Sequence, residues 1–121
     1  MGKKILIVDD SGSMRQMVNF TLTEEGFDVE EAVDGKDGFD KLDGVNPDLI
    51  VTDINMPNMN GIELIKAVRE TDKFKFTPII VLTTESEASK QEAGKRAGAS
   101  AWLIKPFTPE KLTETVKKVL G

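Results

Sequence analysis

Apolar positions along this chain fall into two alternating textures. Four short runs, residues 5–8, 49–51, 79–82 and 102–104, consist of Ile, Leu, Val or Trp without a polar break. Unbroken runs of this length predict parallel strands covered on both faces. Phe27-Asp28-Val29-Glu30 alternates instead, which predicts a half-covered edge strand. Between the runs the period changes to that of helices. The first helix is predicted from near Ser13, with the Ser13 hydroxyl as cap, to just before Gly26 in the position past the helix end. The second spans about 36–42 and the third about 61–70, with Ile62, Ile65 and Val68 on one face. The fourth, near 87–96, is poorly anchored, with Ala88, Ala93 and Ala97 as its apolar positions and Gly94 inside it. The last has Thr108 as N-cap, Pro109 at its first position, and Leu112, Val116, Val119 and Leu120 on one stripe.

Five strand–helix units in strict alternation predict an α/β fold, an open parallel five-stranded sheet with helices on both faces and right-handed crossovers. Periodicity alone does not fix the strand order; 2-1-3-4-5 is the choice made here among doubly wound orders. Sheets of this kind bind ligands beyond the carboxyl ends of their strands, so the strand ends are where chemistry is sought.

With 121 residues the chain has the size of one domain. It contains no cysteine and no histidine. That excludes disulfides, thiolate and imidazole metal sites, Ser-His triads and the commonest general base at neutral pH. Chemistry here must run on carboxylates, hydroxyls, lysines and bound ions. The net charge of −5 argues against nucleic acid as a partner. Charge is also unevenly placed: residues 1–60 carry 5 Lys/Arg and 13 Asp/Glu, whereas residues 86–121 carry 7 basic and 4 acidic side chains. The acidic half suits a cation, and the basic third suits an acidic partner segment or a solvated face. Lys3 and Lys4 precede only four apolar residues before Asp9, too few for a signal peptide or membrane span. A soluble, cytoplasmic protein with no membrane partner is expected, and nothing demands more than a monomer.

Asp9 and Asp10 follow the first strand, Asp53 ends the third, Thr83 and Thr84 end the fourth, and Lys105 follows the fifth. Each has an ordinary explanation alone: a helix cap, a turn aspartate, a loop hydroxyl, a surface lysine. Together they crowd three carboxylates at one edge. Two like charges about 4 Å apart repel by roughly 4 kcal/mol at an effective dielectric of 20. Either one carboxyl keeps its proton or a cation sits among them. Oxygen-only ligands suit Mg²⁺ or Mn²⁺. A carboxylate beside such an ion can act as a nucleophile towards a phosphoryl group, with Thr83 and Lys105 as partners for its oxygens.

In these residues the sequence resembles a response-regulator receiver domain, across essentially its whole length. The carrying motifs are Ile5-Leu6-Ile7-Val8-Asp9-Asp10-Ser11, Asp53-Ile54-Asn55-Met56-Pro57 with Asn60-Gly61, Thr83-Thr84-Glu85, and Lys105-Pro106-Phe107. The resemblance implies a flavodoxin-like (βα)5 fold of order 2-1-3-4-5. It implies Asp53 as phosphoacceptor, Asp9 and Asp10 as the Mg²⁺-binding acid pair, and the Asn55 backbone carbonyl as a further ligand. Thr83 is then the switch hydroxyl, Lys105 its salt-bridge partner across the phosphoryl group, and Lys105–Pro106 a cis bond. Trp102 takes the place of the aromatic that turns inward on switching, although as a sequence position a core tryptophan fits equally well. By the same resemblance, Asn55 and Glu85 are implied to flank the attacking water's path and to tune phosphoryl lifetime.

The likeness is greatest to stand-alone chemotaxis regulators, with no output domain expected after Gly121. Implied partners are a sensor histidine kinase and, through the surface of residues 86–121, a flagellar motor switch protein or a phosphatase. Three positions depart from the family pattern: Thr84 where a smaller residue is frequent, Gly12 where a longer one is usual, and Trp102 in place of tyrosine. A close alternative is a phosphorelay intermediate that passes its phosphoryl group to a histidine phosphotransfer protein. A true phosphatase would want an acid where Asn55 stands. A flavin module would place the FMN phosphate near Ser11-Gly12-Ser13, beside the repelling Asp9 and Asp10. The expected role is therefore that of a phosphoacceptor switch and not a turnover enzyme.

Overall fold

The computed structural model describes residues 2–83 and 88–121, with the side chains of 88–91 excepted. Its elements alternate as the apolar runs require: β1 (Lys4–Val8), α1 (Gly12–Glu24), β2 (Asp28–Ala32), α2 (Gly35–Val45), β3 (Leu49–Asp53), α3 (Gly61–Arg69), β4 (Ile79–Thr83), α4 (Ala88–Ala97), β5 (Ala101–Ile104) and α5 (Pro109–Leu120). All strand pairs are parallel, and the sheet order is β2-β1-β3-β4-β5. The doubly wound order is thus the one expected.

Residues 5–8, 49–52 and 79–83 are buried throughout, because helices cover both faces of the three central strands. Side chains that alternate along each strand supply two separate cores. Leu6, Val8, Ile50 and Val81 pack beneath α2 and α3 with Leu42, Leu64, Ile65 and Val68. Ile5, Ile7, Val51 and Leu82 pack on the other face beneath α1 and α5 with Val18, Leu22, Leu112 and Val116. At about 25 cal/mol per Å² of apolar surface, such burial is the main force holding the layers together. β2 lies at the sheet edge, and its outward Asp28 and Glu30 account for the alternation seen there.

Several boundaries differ from those the sequence suggests. The cap of α1 is Ser11, not Ser13: its hydroxyl accepts from the Met14 amide at 3.2 Å, and Ser13 lies inside the helix. Ser11 has the extended backbone a cap needs, and Gly12 begins the helix. At the other end Gly26, at φ +91°, fills the expected place past the C-cap. α2 is longer than its apolar positions indicate, since Asp34 caps it early and Asn46 ends it in the left-handed conformation. β2 reaches Ala32, and β5 takes in Ala101. α4 is described from Ala88; the predicted start at Glu87 lies outside the described residues. No helix among the described residues is long and apolar enough to cross a membrane.

Candidate functional site

The carboxyl ends of β1, β3, β4 and β5 open on the same edge of the sheet. Asp9 follows β1 directly and is fully buried. Its Oδ1 accepts the Ser11 amide at 2.9 Å, while Oδ2 is buried with no hydrogen bond among the described residues. Asp53, the last residue of β3, is half-buried, and its Oδ1 accepts the Ile54 amide at 2.8 Å. Asp10 is exposed at the rim. One carboxylate oxygen from each of Asp9, Asp10 and Asp53 can be chosen so that all three lie within 4.8 Å of one another.

Lys105 enters from the end of β5. Its Nζ lies 3.4 Å from Asp53 Oδ2 and 3.6 Å from Asp9 Oδ2, as ion pairs longer than a good hydrogen bond. The Lys105 amide donates to the Thr83 carbonyl at 2.6 Å, tying this loop to the end of β4, and the Lys105–Pro106 bond is cis. Burial pushes the Asp53 carboxyl above its ordinary pKa. Lys105 opposes that rise, Asp9 reinforces it, and the Ile54 amide also opposes it.

Three carboxylates against one ammonium leave an excess of two negative charges when all are ionised. The donors are all oxygen, and one buried oxygen lacks a hydrogen-bond partner among the described residues. A buried acceptor left unmatched costs free energy. A hard divalent cation would satisfy both the charge and the vacant acceptor. The residues therefore fit such an ion.

Thr83 is buried at the end of β4, opposite Ile104 in the β4–β5 register. Asn55 stands exposed two residues beyond Asp53, in the loop leading to α3. Trp102 is half-buried on β5 and packs against the core beneath α2 and α3, which agrees with a partly core position. Thr84 and Glu85 lie outside the described residues.

Other residues support the site as well; Asn60 and Gly61 belong to one of the carrying motifs, whereas Arg15 and Glu31 do not stand out in the sequence. Arg15 Nη1 donates to the Asp9 carbonyl at 2.7 Å, and its Nε pairs with Glu31 on β2 at 3.1 Å. Gly61 begins α3 so close to β3 that a Cβ there would lie 2.1 Å from the Asp53 carbonyl oxygen. Asn60 and Glu63 complete a capping box. The Asn-x-x-Glu spacing was a readable signal for that box; the contact of Arg15 with the Asp9 backbone had none.

These features define a receiver: a parallel five-stranded sheet whose carboxyl edge gathers an acid pair, a strand-end aspartate and a lysine. The chain belongs to the response regulator receiver domain family, whose model matches residues 5–117. Among its relatives is chemotaxis protein CheY1 of Helicobacter pylori, 42% identical over 120 residues, covering 98% of this chain and 97% of that protein. The structure of chemotaxis response regulator CheY4 of Vibrio cholerae superposes with a TM-score of 0.94 at 48% identity, covering 98% of this chain and 99% of the other. A receiver domain of the Pseudomonas aeruginosa sensor histidine kinase PA1611 superposes at 0.92 with 25% identity, covering 100% and 99%. Its structure is described as having a magnesium ion coordinated in the active site cleft.

Proposed function

We propose that this protein is a phosphoacceptor switch of chemotaxis, phosphorylated on Asp53 by a sensor histidine kinase. The observation that carries the proposal is the placement of Lys105 Nζ between Asp53 and Asp9, beside a buried Asp9 oxygen without a hydrogen bond. A nucleophile, a countercharge and a cation seat meet there within a few ångströms.

In the reaction proposed, a carboxylate oxygen of Asp53 attacks the phosphorus of a phosphohistidine on the kinase. The new P–O bond forms as the P–N bond breaks, and the departing imidazole nitrogen takes up a proton. Raised basicity from burial makes Asp53 a better nucleophile once it is ionised. The Lys105 ammonium faces the charge that gathers on the phosphoryl oxygens. Thr83, at the end of the neighbouring strand, would donate to one of them. Bound Mg²⁺, or Mn²⁺ in its place, would be held by Asp9, Asp10, Asp53 and the Asn55 carbonyl and would neutralise phosphoryl charge. Hydrolysis then has water attack the phosphorus, release inorganic phosphate and restore the Asp53 carboxylate. Asn55 and Glu85 would flank that water and set how long the acyl phosphate lasts.

The output would be a change at the surface of α4, β5 and α5, reported by Trp102 and read by a flagellar motor switch protein or a phosphatase. Likeness to chemotaxis proteins supports this partner class over a phosphorelay intermediate. Pull-downs against motor and phosphotransfer partners discriminate the two.

The direct test is intact mass after incubation with Mg²⁺ and acetyl phosphate. One phosphoryl group, about 80 Da, should appear, vanish with chelator and be absent from Asp53→Asn. Because rapid hydrolysis can hide an adduct, beryllofluoride binding is measured alongside. Failure of both would leave a receiver fold without the switch.

A further inference from the structure

The loop of residues 54–60 between β3 and α3 carries Asn55, and no hydrogen bond holds Asn55 itself among the described residues. Its position must come from its neighbours. One end of the loop is fixed at the site: the Ile54 amide donates to Asp53 Oδ1, and the Gly61 amide donates to the Ile54 carbonyl at 2.8 Å. The tip is fixed elsewhere, on the start of α2. Asn58 Nδ2 donates to Asp34 Oδ2 at 2.7 Å, and the Gly35 amide donates to the Met59 carbonyl at 3.1 Å.

The tip is built for this contact. Asn58 sits at φ +67°, a left-handed turn that asparagine tolerates better than most residues. Gly35 approaches so closely that a Cβ would lie 2.3 Å from the Met59 carbonyl oxygen. Asp34 is a buried carboxylate with both oxygens engaged, Oδ1 by the Asp37 amide at 2.8 Å and Oδ2 by Asn58. Capping α2 needs only the first of these bonds. The second joins two loops 24 residues apart in sequence, and charge-assisted bonds of this kind are the stronger ones.

We infer that Asp34 and Asn58 are positioning residues: their hydrogen bond anchors the 54–60 loop on α2 and so sets the Asn55 backbone for cation binding at Asp9, Asp10 and Asp53. The inference rests on the reading of that cluster, with the Asn55 carbonyl, as the cation seat. It adds that the seat is held in shape from a point outside it.

The test is Mn²⁺ binding by electron paramagnetic resonance, with Gly35 amide exchange measured on the metal-free protein. Asn58→Asp keeps the size and turn preference of the residue but sets a second carboxylate against Asp34. It is expected to weaken Mn²⁺ binding about tenfold, the lower range for loss of an outer-shell partner, and to speed Gly35 exchange. Added negative charge alone would strengthen cation binding, so the expected sign separates positioning from electrostatics. Asp34→Asn combined with Asn58→Asp restores one donor and one acceptor and should recover the affinity. Asn58→Gly, which keeps the left-handed turn and removes the donor, serves if the first variant does not fold. Faster Gly35 exchange with unchanged Mn²⁺ affinity would overturn the inference while leaving the cation seat intact. No Mn²⁺ binding by the unaltered protein, or binding insensitive to Asp10→Asn, would overturn the seat and the inference together.

Discussion

Asp53 is costly where it stands. Burial raises its pKa above the ordinary 3.8 by more than Lys105 draws it down, so the native state holds the proton more tightly than the unfolded chain does. The associated stability is present below about pH 3.8 and is lost as pH rises through the native value. Without a cation, ionised Asp53 therefore destabilises the fold at neutral pH. Asp53→Asn removes that charge and keeps an acceptor for the Ile54 amide. It should raise the metal-free melting temperature at pH 7 by a few degrees, corresponding to about 1 kcal/mol. The advantage should vanish as pH falls towards 3.8. Melts at several pH values check both parts, and a less stable mutant at pH 7 would mean that the pair with Lys105 outweighs burial.

Single elements differ in how they are held. The Arg69 guanidinium at the end of α3 donates to the carbonyls of Phe74, Lys75 and Thr77 in the following loop and to that of Gly98 beyond α4. Arg69→Met should strand several of these acceptors and cost about 2–4 kcal/mol in denaturant unfolding. Asn60→Ala removes one cap and should cost about 1 kcal/mol; equal losses would contradict this ranking. The strands were legible because Ile79-Ile80-Val81-Leu82 and its counterparts need no partner to reveal their burial. The acids and Lys105 were legible because each falls at the end of such a run. Arg69, Arg15 and the Asp34–Asn58 contact were not, since each acts through backbone atoms or residues far along the chain, and local pattern carries no trace of them. The cap of α1 is not legible for a smaller reason: two serines flank Gly12, and only backbone geometry shows which one lies outside the helix.

For the whole molecule, the two cores divide the labour. Leu103 belongs to the core beneath α1 and α5, while Trp102, next to it, packs against the core on the opposite face of the sheet. The Trp102 ring thus sits on β5 only three residues before Lys105, which joins the sheet to the acidic edge. Mg²⁺ with beryllofluoride should change Trp102 emission in the intact protein and leave it unchanged in Asp53→Asn; unchanged emission despite proven binding would remove Trp102 from the switch. Mg²⁺ alone at a hundred times its dissociation constant should stabilise the protein by about 2.7 kcal/mol, measurable as a shift in the unfolding midpoint. The Arg69 contact also has a mechanical consequence. Gly98, at φ +113°, is held by Arg69 at the carboxyl end of α4, leaving the other end of the helix on the β4 side. Ten residues make a lever arm about 15 Å long, so turning it by about 10° around this fulcrum moves the far end by roughly 2.6 Å. A displacement begun beside Thr83 would thereby be converted into rotation, with a backbone carbonyl gripped by an arginine on another helix as its hinge.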